Sequence, residues 1–282
     1  MTNSKGPLQH IEAQDPRYFV LRQAVMAAWT GWALLAVVGW LLADDAGLVI
    51  ALIMGGGGLL ALLLRLYHKS QVEAFQHYRQ LEALHALYAT LKPHLPLPPM
   101  RLWAISPDFA TLQVGLIAEH KPKLIVELGS GVSTLISCYA LRTFSIEGRV
   151  IALDHDADYA GRTRDLLRTH GLDGLATVIH APIAPETRWY DLAAFPEDLS
   201  IDLLVVDGPP QAVGPMARYP ALPNLWAHLA PGALILVDDT MRSDEQQMVA
   251  RWLAEFHLDI IVSVANEKGA AILRTPNQKP VA

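Results

Sequence analysis

The chain contains Leu124-Ile-Val-Glu-Leu-Gly-Ser-Gly-Val-Ser-Thr134, a segment whose character changes twice. Its apolar beginning predicts a buried strand, and Gly129-Ser-Gly131 predicts a tight turn before a helix that starts near Ser133. A turn of this kind lets the backbone approach a ligand closely. Glu127 lies beside the turn, and an acid there suits a cationic or hydroxyl-bearing cofactor better than a phosphate. The segment therefore predicts a cofactor site.

The composition limits what the chain can be. Its 282 residues are 52% hydrophobic, which is enough for one sizeable core and an appendage. The net charge of -6 gives no indication of nucleic-acid binding. The single cysteine, Cys138, excludes a disulfide framework. It lies in an apolar run, which favours a buried structural thiol over a nucleophile.

Two apolar segments without charged residues precede the turn, at about residues 24–43 and 46–64. Each approaches the roughly 20 residues that a helix needs to cross a bilayer. Basic residues flank the pair, whereas the connection carries only Asp44 and Asp45, so the charge bias predicts a two-pass hairpin with both ends in the cytoplasm. The alternatives are a buried soluble hairpin and a cleaved signal peptide, which the long polar region before the first segment disfavours. We therefore expect a protein of the inner (cytoplasmic) membrane whose folded domain is cytoplasmic.

These patterns divide the chain into four parts. They are a cytoplasmic tail at residues 1–22, a transmembrane helical hairpin at 23–66, a connector at 67–100 and a main domain at 101–282. The connector combines an amphipathic helix, predicted over residues 70–92, with a proline-rich segment that ends it. The hairpin and this helix could also pair with a second copy of the chain, which would make the protein a homo-oligomer.

In the main domain, short apolar strands alternate with helices, which is typical of an α/β fold with a parallel sheet. Strands are predicted at Leu124–Leu128, Val150–Asp154, Ala176–His180, Ile201–Asp207, Ala233–Asp238, Ile260–Val264 and Ala270–Arg274. The last two form a hairpin, so at least one strand pair is antiparallel. Helices are predicted at Thr134–Leu141, Asp158–His170, Ala221–Leu229 and Asp244–Phe256. Ser243 and Gln246 form a capping-box pattern at the start of the last helix.

Acids recur where the strands end. Ligands of an open parallel sheet bind beyond the carboxyl ends of its strands, so Asp154, Asp207 and Asp238-Asp239 should open onto the same crevice as Glu127. Asp154 lies about 25 residues beyond the glycine turn, where an acid can accept hydrogen bonds from ribose hydroxyls. The third glycine of the dinucleotide fingerprint and the phosphate-binding loop of NTPases are both absent. The acids therefore favour an adenosine-containing cofactor that is neither a nicotinamide or flavin dinucleotide nor a nucleoside triphosphate.

Three of the carboxylates predict a metal site. Asp207, Asp238 and Asp239 would repel one another unless a cation or protons neutralise them. Mg²⁺ prefers oxygen ligands of this kind, and it would keep waters or substrate oxygens as further ligands. The alternative is that Asp238 and Asp239 cap the following turn, with Arg242 as an ion-pair partner.

The segments Val126–Thr134, Val205–Pro210 and Leu236–Asp239, together with Asp154, resemble class I S-adenosylmethionine-dependent methyltransferases. The likeness is closest to bacterial small-molecule O-methyltransferases and extends over about Ser106–Arg274. It implies a Rossmann-like methyltransferase fold, with a mainly parallel seven-stranded sheet and a C-terminal antiparallel hairpin. It also implies S-adenosyl-L-methionine as the cofactor.

The resemblance implies a role for each matching position. The implied cofactor-binding residues are Glu127, Gly129, Ser130, Gly131, Ser133, Asp154, His155 and Ala181. Those of the glycine turn would contact the methionine part, Ser133 would anchor its carboxylate and Asp154 would hold the ribose. His155 and Ala181 would flank the adenine, although His155 could equally be a solvated loop histidine.

The resemblance also bears on catalysis. In metal-dependent catechol-type members, acids at these strand ends bind a divalent ion that orients the acceptor hydroxyl. The lysine base of those enzymes is missing here, because Gly208-Pro209-Pro210 occupies its turn. Asp207 is therefore the predicted catalytic base, unless the metal alone suffices. Arg218 and Tyr219, in the loop that follows, could bind an anionic or ring-bearing acceptor or simply lead into the next helix.

We therefore expect a membrane-anchored methyltransferase that acts on a small-molecule or lipid-linked acceptor, at a hydroxyl and with the possible assistance of Mg²⁺. Two other hypotheses stay open. A NAD-dependent oxidoreductase is disfavoured by the missing third glycine and by Glu127 in the strand before the turn. A non-catalytic membrane assembly module is disfavoured because acids follow successive strands of the main domain.

Overall fold

The computed structural model describes residue 27 and residues 29–34, 37–41 and 44–277. Contacts divide the chain into two compact units, one up to Phe75 and one from Gln76 onward. The predicted cytoplasmic tail, residues 1–22, lies outside the described residues. The boundary between the units falls inside the predicted connector, residues 67–100, so the proline-rich segment belongs to the second unit.

Helix α1, Asp44–Leu91, continues without a break through the second predicted membrane segment and the predicted amphipathic helix. Residues 29–34 are also helical, and the ring of Trp32 fills the space beside Gly55, where a Cβ would lie 1.5 Å from Trp32 Nε1. Among the residues that the structure describes, no helix is both long enough and apolar enough to cross a membrane. The prediction of two transmembrane helices is therefore not supported, and the first, residues 24–43, lies partly outside the described residues.

A seven-stranded sheet forms the centre of the second unit. Its strands are β1 Leu124–Leu128, β2 Arg149–Asp154, β3 Ala176–His180, β6 Ile201–Val206, β7 Leu229–Asp238, β8 Asp259–Val264 and β9 Ala270–Arg274. The strand order is β3-β2-β1-β6-β7-β9-β8, and β9 is antiparallel to both of its neighbours while the pairs from β3 to β7 are parallel. This confirms the predicted Rossmann-like sheet and its C-terminal antiparallel hairpin. Two short strands, β4 Ile183–Ala184 and β5 Trp189–Tyr190, form a separate pair that the sequence did not predict.

Helices cover both faces of the sheet. They are α2 Pro107–His120, α3 Val132–Thr143, α4 Ala157–Thr169, α5 Ala221–Leu225 and α6 Ser243–Phe256. Side chains of α2, α3 and α4 belong to one apolar core, and those of α5 and α6 belong to a second. Strand β1 is buried along its whole length, with Ile125 in the first core and Val126 in the second. Burial on both faces explains why this strand is an unbroken apolar run rather than an alternating one.

Helices α3, α4 and α6 lie within one or two residues of their predicted bounds, and two other features differ more from the prediction. The helix predicted over Ala221–Leu229 ends at Leu225, because Leu229 already pairs with Ile201 as the first residue of β7. The capping box predicted for α6 is absent, since Ser243 is the first residue of the helix and not the residue before it. Arg242 stands in the capping position without a side-chain hydrogen bond to the backbone.

Candidate active site

A cavity of about 600 Å³ lies at the carboxyl ends of β1, β2, β6 and β7. Strand β1 has β2 on one side and β6 on the other, so the cavity lies at the switch in strand order, where open sheets bind ligands. Of the predicted site residues, those that line it are Gly129, Ser130, Ser133, Asp154, His155, Asp207 and Asp239. Predicted residues that are not among its lining are Glu127, Gly131, Ala181 and Asp238. The same cavity therefore reaches from the end of β2 to the ends of β6 and β7.

The glycine turn has a backbone that only glycine adopts easily. Gly129 has a φ of 102° and Gly131 a φ of 132°, a region in which any L side chain is strained. The turn is fixed to β2, because the amide of Gly129 donates to the carbonyl of Leu153 over 2.8 Å. Gly129 and Ser130 of this turn line the cavity.

Glu127 lies behind this turn. Its carboxylate is 1% exposed and accepts hydrogen bonds from Gln113, Ser133, Thr134 and Ser137, at distances of 2.7 to 3.1 Å. Burial raises the pKa of Glu127, and these four donors act against that rise. Glu127 therefore links β1 to the start of α3 through these hydrogen bonds. The sequence suggested instead that it faces the cofactor.

Asp154 connects the end of β2 to the same turn. Its Oδ2 accepts hydrogen bonds from the amide of Ser130 at 3.2 Å and from the Ser130 hydroxyl at 2.5 Å. Its Oδ1 accepts from the amide of Asp156 at 3.1 Å and lies 3.5 Å from Nδ1 of His155. The carboxylate is held firmly at the cavity wall, in the position predicted for a ribose-binding acid.

The predicted adenine residues are placed unequally. His155 lines the cavity, but Ala181 is fully buried and is not among the lining residues. Tyr159 also lines the cavity and has 52% of its surface exposed. Sequence reasoning missed Tyr159, although its place in the first turn of α4, three residues after the capping residue Asp156, was available as a signal.

The acids of β6 and β7 converge as predicted. One oxygen from each of Asp207, Asp238 and Asp239 can be chosen so that all three lie within 4.8 Å of one another. Asp239 has a φ of 64°, which is unusual for a residue with a side chain. Burial, with the charge of Asp207 next, raises the pKa of Asp238 to about 8. Its Oδ2 is buried and has no hydrogen-bond partner among the described residues.

A buried arginine lies among these acids. Arg218 is 4% exposed, and its Nη2 lies 2.8 Å from Asp239 Oδ2 and 3.3 Å from Asp207 Oδ1. Its Nη1 donates to the carbonyl of Asp238 at 3.2 Å, and its Nε lies 3.8 Å from Glu245 Oε1. Asp207 and Asp239 are the largest influences that hold the pKa of this guanidinium above its usual value against burial. The sequence named Arg218 only as an acceptor ligand or a helix-entry residue, so its place among the acids is new.

Asp207 faces the cavity from this cluster. Its side chain is 20% exposed, and its amide donates to the carbonyl of Leu128 at 3.1 Å. Burial raises the pKa of Asp207 to about 6, while Arg218 lowers it and Asp239 raises it further. A carboxylate with a pKa near neutrality that faces a cavity can accept a proton from a bound hydroxyl.

Tyr190 lines the cavity between the side that carries the glycine turn and Asp154 and the side that carries Asp207. Its hydroxyl is buried and has no hydrogen-bond partner in the described part of the chain. Gly208 makes room for it, because a Cβ at that position would stand 2.3 Å from the Tyr190 oxygen and 3.0 Å from the carbonyl of Leu128. Tyr190 and its neighbour Trp189 both belong to the second apolar core, and Tyr190 also contributes to the cavity wall.

The mouth of the cavity is formed by a segment tied to the β8–β9 turn. Leu102 and Trp103 line the cavity and are 85% and 87% exposed. Lys268 holds this segment by donating to the carbonyl oxygens of Leu102, at 3.1 Å, and Ala104, at 3.3 Å. No sequence pattern pointed to these residues, since they come together only through contacts between distant parts of the chain.

Comparison with known proteins agrees with this geometry. Residues 126–240 match the family model of a methyltransferase domain. No curated protein matches the sequence significantly.

Solved structures share the fold. The O-methyltransferase from Bacillus cereus, in complex with S-adenosylhomocysteine, is 15% identical with a TM-score of 0.51, over 72% of this chain and 97% of that one. A methyltransferase from Podospora anserina, bound to S-adenosylhomocysteine, is 14% identical with a TM-score of 0.51, over 74% of this chain and 95% of that one. At these identities the likeness extends to the fold alone.

Proposed function

We propose that this chain transfers a methyl group from S-adenosylmethionine to a hydroxyl oxygen of a small-molecule or lipid-linked acceptor. The observation that carries the proposal is one cavity, which joins the glycine turn and Asp154 at one end to Asp207 at the other. The methyltransferase domain match over residues 126–240 covers all of these positions.

The first half of the cavity fits the cofactor. The turn at Gly129 presents backbone without side chains, and Asp154 is a fixed acceptor for ribose hydroxyls. Tyr159, which is half exposed, supplies a ring beside it. When bound, S-adenosylmethionine provides a methyl group that its positively charged sulfur makes electrophilic. Asp154, Asp207 and Asp239 are the carboxylates of the cavity lining, and Arg218, Arg242 and Lys268 balance them in number.

The second half of the cavity performs the proton transfer. Asp207 takes the proton of the acceptor hydroxyl, and the oxygen electron pair forms a bond to the methyl carbon. The carbon–sulfur bond breaks at the same time and its electrons stay on sulfur, which gives a methyl ether, S-adenosylhomocysteine and protonated Asp207. The protein therefore contributes alignment and a base.

The mouth of the cavity suggests the character of the acceptor. Leu102 and Trp103 offer a large exposed apolar surface there, and Arg242 and Lys268 also line the cavity. This combination favours an acceptor with an apolar or aromatic body and a negatively charged group. A screen of extracted lipids and polar metabolites for a transferred radiolabelled methyl group would identify it.

Attachment to a membrane remains part of the proposal. Along α1, many large apolar side chains are exposed: Val49, Ile50, Leu52, Ile53, Met54, Leu60, Leu63, Leu64 and Tyr67. A bilayer would cover such a surface and bring the domain close to a hydrophobic acceptor. The full chain should therefore sediment with membranes, and the combined change Leu60→Ser, Leu63→Ser and Leu64→Ser should release it. Recovery of the unchanged protein in the supernatant would contradict the attachment.

Isothermal titration of the full chain tests the cofactor. We expect S-adenosylmethionine to bind and NAD not to bind. Asp154→Ala should weaken binding by about tenfold or more, because a hydrogen bond to a charged group contributes about 1.5–3 kcal/mol. Asp165→Ala is a matched control, since that acid is 70% exposed and pairs only with Arg168. Binding of NAD alone would replace the proposal with the oxidoreductase hypothesis.

A further inference from the structure

The acidic cluster beside the cavity already contains a positive charge. Around the guanidinium of Arg218 lie four carboxyl groups from three elements: Asp207 at the end of β6, Asp238 and Asp239 at the end of β7, and Glu245 in α6. Arg218 is buried to a similar extent as Asp238, Asp239 and Glu245, whereas Asp207 is partly exposed. The charge of Arg218 offsets part of the negative charge of the three aspartates.

The guanidinium uses the same oxygens that a metal ion would need. Its Nη2 lies 2.8 Å from Asp239 Oδ2 and 3.3 Å from Asp207 Oδ1, between two of the three oxygens that could form a metal site. Mg²⁺ requires oxygen ligands at about 2.0–2.1 Å in an octahedron. An ion at that distance from Asp207 and Asp239 would meet Arg218 in the same space, with two like charges in a buried site.

Arg218 is also fixed in place by neutral groups. Its Nη1 donates to the carbonyl of Asp238 at 3.2 Å, and its Nε faces the carbonyl of Pro209 at 3.5 Å. A planar fork of five donors can meet carboxylates and carbonyls together, which an ammonium cannot do in the same geometry. The side chain could leave only by giving up all of these contacts. The residues present therefore do not fit a divalent ion beside Arg218.

We infer that Arg218 is the resident cation of this cluster and that the chain binds no divalent metal there. Arg218 takes the place that a metal would have between Asp207 and Asp239. It is a positioning residue, because it orients the Asp207 carboxylate through one oxygen and leaves the other for the acceptor. The part of this inference that concerns catalysis rests on the proposed methyl transfer, whereas the part that concerns metal binding does not.

Manganese binding to the full chain tests the inference without any acceptor. Mn²⁺ is titrated into the protein, and the free ion is measured by electron paramagnetic resonance. We expect no stoichiometric binding to the unchanged protein. Arg218→Met should bind one Mn²⁺ per chain at least about tenfold more tightly, because it removes the buried cation between Asp207 and Asp239. The remaining cation is the more exposed Arg242, whose Nη1 lies 2.9 Å from Asp239 Oδ2. Arg251→Met is the control, since Arg251 is exposed and pairs with Glu255 away from the cluster.

Two outcomes would overturn the inference. One is tight binding of one Mn²⁺ to the unchanged protein that Asp239→Asn abolishes. The other is a folded Arg218→Met protein, verified by circular dichroism, whose Mn²⁺ affinity equals that of the Arg251→Met control. If Arg218→Met does not fold, the titration of the unchanged protein still decides between the two possibilities. A separate titration with S-adenosylmethionine shows whether the proposed function has failed independently.

Discussion

At the scale of single residues, neighbouring strand ends give acids different environments. Glu127 is enclosed by four donors, and Asp154 is bound to the turn through Ser130. Asp207 shares one oxygen with Arg218 and turns towards the cavity. The three carboxylates therefore differ in environment, although each lies in the same position, at or near a strand end.

Asp207 should give methyl transfer a characteristic pH dependence. The base must be ionised to accept a proton, and its pKa is raised to about 6 by burial. We therefore expect kcat/KM to be constant at higher pH and to fall as the pH drops through about 6. Initial rates with a fixed acceptor between about pH 5 and 8 would measure this pH dependence, because the range extends about one unit or more on either side of that pKa.

A substitution at Asp207 separates the base from the binding site. Asp207→Asn should lower kcat by about a hundredfold or more, since general base catalysis contributes about 10²–10⁴. Its affinity for S-adenosylmethionine should stay close to that of the unchanged protein. A variant that keeps its full turnover would show that another group removes the proton.

Glu127 should matter for stability. In Glu127→Gln an amide NH₂ replaces one carboxylate oxygen and faces hydroxyl and amide donors in a fully buried site. We expect unfolding in urea to show a loss of about 1–3 kcal/mol, the cost of a buried group without its partner. Glu119→Gln is the control, because that side chain is 76% exposed. Equal stability of the two variants would mean that the site rearranges.

At the scale of elements, the sheet was predictable and the cavity mouth was not. Strands β1, β3 and β9 have the predicted bounds. Burial makes β1 and β9 nearly continuous apolar runs, whereas β3 is a partly exposed edge strand. Acids at strand ends were placed correctly, since their position follows from the topology. Short strands such as β4 and β5 carry no periodic signal, and α1 continues across a change from apolar to amphipathic sequence.

The position of Arg218 among the acids could not be predicted, because it depends on contacts between distant parts of the chain. Arg218 follows β6 by a loop whose path depends on the packing of α6, and Lys268 reaches the cavity from a turn 164 and 166 residues from the carbonyls that it binds. Sequence spacing says nothing about such contacts. The positions of the glycine turn and Asp154 were therefore predictable in outline, whereas the positions of Arg218 and Lys268 were not.

The turn after β6 depends on a small residue. In Gly208→Ala the new Cβ would meet the Tyr190 oxygen at 2.3 Å and the Leu128 carbonyl at 3.0 Å. We expect thermal unfolding to show a loss of about 1–3 kcal/mol, as for other overpacked sites. Gly161→Ala in α4 is the matched control: it meets no atom within 4 Å and should gain about 0.5–1 kcal/mol.

At the scale of the whole molecule, the second unit brings distant parts of the chain to one cavity. Arg101 and Glu267 form a two-point ion pair, with Nη2 to Oε1 at 2.6 Å, across 166 residues of sequence. The cavity lining likewise extends from Leu102 to Lys268. Occupancy of the cavity should therefore stabilise the unit as a whole rather than one element.

S-adenosylmethionine should raise the melting temperature. At a concentration 100 times its Kd, a ligand of the folded state adds about 2.7 kcal/mol, which corresponds to about 5–10 °C for a domain of this size. Differential scanning fluorimetry of the full chain would measure the shift. Asp154→Ala should show little of it at the same concentration, and an equal shift would argue that the ligand binds elsewhere.

Strand β9 is the last of the described strands to leave the ribosome, yet it lies inside the sheet between β7 and β8. Until it is inserted, β7 has an open edge at Asp238, and Lys268 has no fixed place at the cavity mouth. A nascent chain that stops before Ala270 would thus carry every other strand and still expose unpaired backbone. Premature termination near the 3′ end of the message should yield an aggregation-prone product rather than a weakly active enzyme.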